Sequence, residues 1–261
     1  MSRTITWFLA VLSLVALFSS GASCATTEGK IVIVRMHLRG TAANGSSIHR
    51  FTTSTGWDVT LERAFVAMGP VYVYAPAGDL TAALQVLLLP RALAHGGFDP
   101  LNGRRVRAEL LDQVALDLLS DDGQTFDGIE AEAGVVDAVS LALEPPNPEN
   151  SERLSAHHFW ARGTATQGTM TIPFEGGLDI PDDGLARRIE GVPIEGTLDE
   201  GGSIEVGVVV SSWFDDAHFE RLAEPSQEGR FLVTPQSQVH AAWFLNVRSV
   251  RSYMARWSPR E

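Results

Sequence analysis

Two residue types are nearly missing from this chain. Cys24 is its single cysteine and Lys30 its single lysine among 261 residues. One cysteine excludes an intramolecular disulfide framework, so stability must come from core packing. Basic charge is scarce too, with 20 Lys and Arg against 32 Asp and Glu and a formal net charge of −12. A nucleic-acid partner needs a basic patch or stripe, and this balance argues against one. A long hydrophobic run is also missing. The mostly apolar stretch Ile5–Phe18 is 14 residues long, against roughly 20 for a spanning helix. Catalytic signatures are absent as well. The chain has no Gly-x-Ser-x-Gly elbow, no His-Glu-x-x-His, no phosphate loop and no dinucleotide fingerprint. No motif therefore gives a reason to expect an enzyme, although scattered catalytic groups leave an envelope hydrolase as the third-ranked reading.

What is present begins at the N-terminus. Arg3, the apolar stretch Ile5–Phe18 and the small residues Ser19 to Ser23 lead to Cys24. A charged start, a short apolar core and a small-residue end mark a secretory signal. The cysteine closing that run resembles the signal of a bacterial lipoprotein. The resemblance implies a signal peptide over 1–23, lipidation at Cys24 and a bilayer partner reached through that anchor. Residues 24–29 would then be the lipidated cysteine and a short tether, and 30–261 a single β-rich domain. Ala25 stands where the family places Asp for inner-membrane retention, which implies the outer membrane, with the domain facing the periplasm or the cell surface. Gly21 departs from the Leu usual three residues before the cysteine; the alternative is ordinary cleavage after Ala22 or Ala25 and a soluble secreted protein. On the lipoprotein reading, Cys24 is not available as a nucleophile.

The pattern beyond residue 30 is that of short strands and frequent turns, with 24 glycines and 13 prolines. Lys30–Arg39 opens with the continuous apolar run Ile31–Val34, which suits a strand buried on both faces. Asn44-Gly45 is a strong hairpin signal, with 48–53 as the returning strand. Trp57, Val59 and Leu61 alternate with polar residues, and Val71–Tyr74 forms a further strand. Asp79–Leu89 reads as a helix with Asp79 as N-cap. Residues 106–119 are ambiguous between helix and strand, and alternation at Val114, Leu116 and Leu118 favours two strand segments. Val135–Leu143 is the next strand, with Val135, Val139, Leu141 and Leu143 on one face. The proline-rich segment 144–153 is a candidate boundary between two halves.

In the second half, Phe159–Thr166 and Thr169–Phe174 flank Gln167-Gly168 as a hairpin. Arg188–Ile194 is a weaker strand, Ser203–Val210 alternates cleanly, and Asp215–Leu222 reads as a short helix. Thr234-Pro235 predicts the start of a helix running to about Arg248, and Tyr253, Ala255 and Trp257 alternate as a closing strand. The fold class expected is mainly β: an antiparallel β-sandwich or barrel-like domain with one or two short helices. The segments Trp57–Tyr74, Phe159–Phe174 and Trp213–Phe219 resemble those of secreted lipoproteins with a β-rich domain. That resemblance covers about half of the mature chain and brings no activity or site residues.

Histidine and tryptophan are the remaining leads. The loop 94–100, Ala-His-Gly-Gly-Phe-Asp-Pro, could bring His95 and Asp99 together, and imidazole with carboxylate suits Zn or Cu. A solvated surface loop is the competing explanation. His157 and His158 are adjacent, but on a strand they would point to opposite faces and not share an ion. His37 and His49 are not neighbours in the hairpin register set by Asn44-Gly45. Asp121, Asp122 and Asp127 do not match a calcium loop. Trp57, Trp243 and Trp257 sit at periodic, core-like positions, which leaves Trp160 and Trp213 as candidates for an exposed carbohydrate-stacking platform. Together these features point to an envelope binding or interaction module that holds a metal ion or small ligand, with an envelope protein as a further candidate partner. The alternative is a structural or adhesive domain without a small ligand.

Overall fold

A computed structural model of the protein describes residues 29–43, 47–77, 104–182, 186–223 and 229–260. The lipoprotein-type signal with Cys24, the Asn44-Gly45 turn, the 79–89 helix and the His95–Asp99 loop lie outside the described residues.

The chain is mainly β, as its alternating pattern predicts. One sheet has eight strands. Their order is β11 (Arg188–Leu198), β8 (Gly134–Ala142), β4 (Val71–Tyr74), β5 (Val106–Leu110), β7 (Gln124–Glu132), β1 (Ile31–Thr41), β12 (Gly202–Val209) and β14 (Tyr253–Pro259). The sheet curls until its two edge strands meet, where the Trp257 ring of β14 lies against Gly196 of β11, which makes it nearly a closed barrel. The second sheet runs β13 (Phe231–Val233), β10 (Met170–Leu178), β9 (Phe159–Gln167), β3 (Asp58–Met68) and β2 (Arg50–Thr52), with β6 (Val114–Asp117) pairing the far half of β3. Pairing is antiparallel apart from β1 with β12 and β10 with β13, which are parallel. One helix, α1 (Gln238–Val247), and three short 3-10 turns complete the described elements.

Alternation explains most of the inward set. On β12, Ile204, Val206 and Val208 point to the core, and Val210 just after it does the same. On β1, Val32, Val34, Met36 and Leu38 are buried, whereas Ile31 and Ile33 are 43% and 56% exposed. The apolar run therefore does not mark a strand covered on both faces: β1 lies in the wall of a curled sheet, and its odd positions point out of it. Two further expectations also fail. The strand at 50–52 pairs β3 and not β1. Val135 is exposed, and Val136 takes the inward position beside it.

The two sheets share one continuous core. At its centre is an aromatic cluster built from Phe51, Trp57, Phe159, Phe174, Trp213, Phe214, Phe219 and Trp243. Helix α1 and the 3-10 turn Val210–Phe214 supply part of it, so the helix closes the core. Trp213 is fully buried and drops out as a platform candidate. The helix begins later than the Thr234-Pro235 signal suggests. Ser237 is its N-cap and accepts the amide of His240 at 3.2 Å, and Thr234 accepts the amide of Ser237 at 2.8 Å in a preceding turn. The residues after Phe214 form a 3-10 turn at Phe219–Arg221 in place of the expected helix over 215–222.

The backbone of β1 runs close to the segment after β6 at Gly40. A Cβ there would lie 1.9 Å from the Leu118 carbonyl oxygen, a backbone atom that cannot turn aside. Gly40→Ala is expected to cost about 2–3 kcal/mol by overpacking, read as a lower urea midpoint with an unchanged slope. A midpoint equal to wild type would mean that β1 and the 118 segment separate freely.

Candidate functional site

The hairpin β9–β10 positions the site. Its ladder pairs Phe159 with Leu178 and Trp160 with Gly177, and the same register places His158 opposite Asp179. The chain enters β9 through a tight turn in which Ser155 and Ala156 take left-handed conformations (φ 48° and 66°). The His157 amide closes that turn on the Leu154 carbonyl at 2.9 Å, and Leu154 is fully buried beneath it. His157 thus belongs to the turn, whereas His158 extends the ladder, its amide donating to the Leu178 carbonyl at 3.0 Å and its carbonyl accepting from the Ala67 amide at 2.8 Å. Strand alternation therefore does not govern the pair, and both rings reach the same carboxylate. His157 Nδ1 is 3.0 Å from Asp179 Oδ2, and His158 Nδ1 is 3.5 Å from Asp179 Oδ1.

The environments of the two rings differ. His157 is partly exposed and packs over Gly177, where a Cβ would fall 2.1 Å from the ring carbons. His158 is buried. Its Nδ1 also lies 3.4 Å from the Ile180 amide, and its Nε2 has no hydrogen-bonding partner among the described residues. Burial, followed by the Arg187 charge, lowers the His158 pKa, and Asp179 opposes that shift.

A third histidine joins from α1. His240, in the first helical turn, has its pKa lowered chiefly by burial, with Asp179 raising it and His157 lowering it further. These interactions place the three groups in one electrostatic neighbourhood. His157, Asp179 and His240 line an open cleft of about 490 Å³ with Ser155, Trp160, Glu175 and the β13 edge residues Leu232 and Val233. Trp160 and Glu175 share the outward face of the small sheet, because Trp160 pairs Gly177 two residues from Glu175. Neither Arg nor Lys is among the described lining residues. Two arginines on that face, Arg162 and Arg230, are both bonded to Glu62, at 3.0 and 3.1 Å.

A depressed histidine pKa links folding to pH. Above the ordinary value of 6.5, both folded and unfolded chains hold position 158 neutral and the native state keeps its full stability. As pH falls through that value the unfolded chain takes up a proton that the native state resists, so stability declines. Thermal unfolding should show a lower midpoint at acid pH, and His158→Gln should flatten the profile. An identical acid slope in that variant would remove His158 as the cause.

The other sequence leads resolve differently. His37 Nδ1 is 2.9 Å from Thr125 Oγ1, across the β1–β7 pair. His218 Nδ1 meets Glu220 at 2.9 Å. Asp127 pairs with Arg35, outside any acidic cluster. Among the described residues, no group of three or more His, Cys, Asp or Glu side chains is placed to hold a metal ion. Asp179, Glu175 and His240 were missed as site residues. The usable signal is the hairpin turn, which falls at Gly168-Thr169, one residue beyond the expected Gln167-Gly168; the Gln167–Met170 pair carried back nine residues sets 158 against 179.

No protein-family model matches the chain, and no curated protein matches its sequence. Among solved structures, MbnP from Methylosinus trichosporium is similar, with a TM-score of 0.43 and 10% sequence identity over 82% of this chain and 87% of that one. At that distance the site has to be read from its own residues.

Proposed function

We propose that this protein is an exported, lipid-anchored envelope module that captures a small ligand in the His157–Trp160–Asp179–His240 cleft. One observation carries the proposal. The turn before β9, the end of β10, the first turn of α1 and the β13 edge bring polar side chains to a single cleft that also has an aromatic wall. Ligand sites pair such convergent polar groups with aromatic surface. The left-handed turn and the Gly177 contact hold His157 in place before any ligand arrives. Anchoring follows from Cys24; labelling with a clickable fatty acid should mark the protein, and Cys24→Ser should release it from the membrane fraction.

A thermal-shift panel of amines, sugars, amino acids and divalent metals tests the binding role. A true ligand at 100 times its Kd adds about 2.7 kcal/mol, a rise of roughly 5–10 °C for a domain of this size. Gly177→Ala, which pushes the His157 ring off Asp179, should abolish the rise. If no member of the panel shifts the wild type, the structural or adhesive reading takes its place.

A further inference from the structure

We infer that the cleft selects an organic ammonium cation, held with its charge between the Trp160 ring and the carboxylates of Asp179 and Glu175. This rests on the reading of the cleft as the ligand site and adds the ligand's chemistry. Two carboxylates face the space, and no arginine or lysine is among its described lining residues. Arg162, which stands opposite Glu175 across the ladder, and Arg230 both turn to Glu62 just outside the cleft. The lining itself carries only negative fixed charge, so a cation has two carboxylates to meet there and an anion has no lining guanidinium or ammonium.

Burial lowers the His240 pKa, which disfavours a positive charge on the helix side of the cleft. A bare metal ion fits poorly, since no group of three donors converges among the described residues. The walls also call for an organic body. Trp160, Leu232, Val233 and Pro235 present apolar surface around the carboxylates, and an indole face is the strongest cation–π partner among side chains. The net charge of −12 adds a long-range field that draws cations toward the protein.

Calorimetric titration of the folded mature domain tests this with four probes: choline, cadaverine, the neutral choline isostere 3,3-dimethylbutanol, and maltose. At least one of the two cations should bind, and the isostere and maltose should not. Trp160→Ala and Glu175→Gln should each weaken cation binding by about tenfold, with circular dichroism confirming that both variants fold. Raising salt from low to high concentration should weaken it further. Binding of maltose or of the isostere, lost in Trp160→Ala, would overturn the cation while leaving the cleft as the site. No binding by either cation would overturn the inference outright. If in addition no molecule of the wider panel responds to Trp160→Ala, the cleft reading falls with it.

Discussion

Phe159→Ala is expected to cost about 3–5 kcal/mol of stability. The ring is fully buried and lies between two tryptophans. Its centroid is 4.8 Å from Trp213 at 88° and 5.1 Å from Trp243 at 77°, both edge-to-face arrangements. Such pairs add about 0.5–1.5 kcal/mol beyond the apolar area they bury. The indole Nε1 atoms of Trp213 and Trp243 have no hydrogen-bond partner among the described residues, and both indoles also contact further aromatic rings, Trp213 that of Tyr253 and Trp243 those of Phe174 and Phe214. Rigid neighbours relax poorly into a vacated ring volume, which places the expected loss in the upper part of the range for core truncations. Urea unfolding followed by near-ultraviolet circular dichroism should show both a lower midpoint and a weakened aromatic signal. A loss under about 1 kcal/mol would mean that the cluster collapses into the gap. Phe159 also follows His158 directly, so the same variant should loosen the turn that carries the cleft histidines.

Glu132→Gln is the second large effect, at about 3–5 kcal/mol. The Glu132 carboxylate is 4% exposed and lies between two guanidinium groups, Arg105 and Arg107. Arg107 is itself 6% exposed at its side chain and also donates to the Ala133 carbonyl at 3.0 Å. Neutralising the carboxylate leaves buried positive charge uncompensated, which costs more than the ion pair contributes when intact. A double change, Glu132→Leu with Arg107→Met, should recover most of the loss, because it removes both buried charges together. High salt should do little to either variant, since burial keeps screening ions away. If Glu132→Gln matched wild type in stability, water would have to reach the Arg107 side chain.

Local order was legible where alternation and turn chemistry agree. The β9–β10 hairpin follows from alternating apolar residues around Gly168, although its turn is Gly168-Thr169, one residue beyond the expected Gln167-Gly168, and β12 follows from Ile204, Val206 and Val208. Partner choice was less legible. The parallel pair β1–β12 joins residues separated by about 170 positions, such as Met36 with Ile204, and no local signal encodes such a match. β3 also serves different partners along its length, β2 at Asp58 and β6 at Met68. The site was hidden for a related reason. Strand logic separates His157 from His158, but a left-handed turn at Ser155 and Ala156 takes His157 off the strand. Neither residue is a glycine or an asparagine, so the usual sequence marker of that conformation is missing. His240 reaches the cleft only through the packing of α1 against the small sheet, a tertiary contact that helical periodicity leaves unspecified.

The central claim, that the cleft is the ligand site, is tested most directly by indole proton NMR during titration with choline and cadaverine. Trp160 lines the cleft, whereas Trp57, Trp213 and Trp243 are buried in the core. Binding in the cleft predicts that the Trp160 side-chain resonance moves progressively and saturably while those three stay fixed. A saturable shift that spares Trp160, or no shift with either cation or with any member of the wider panel, would contradict it.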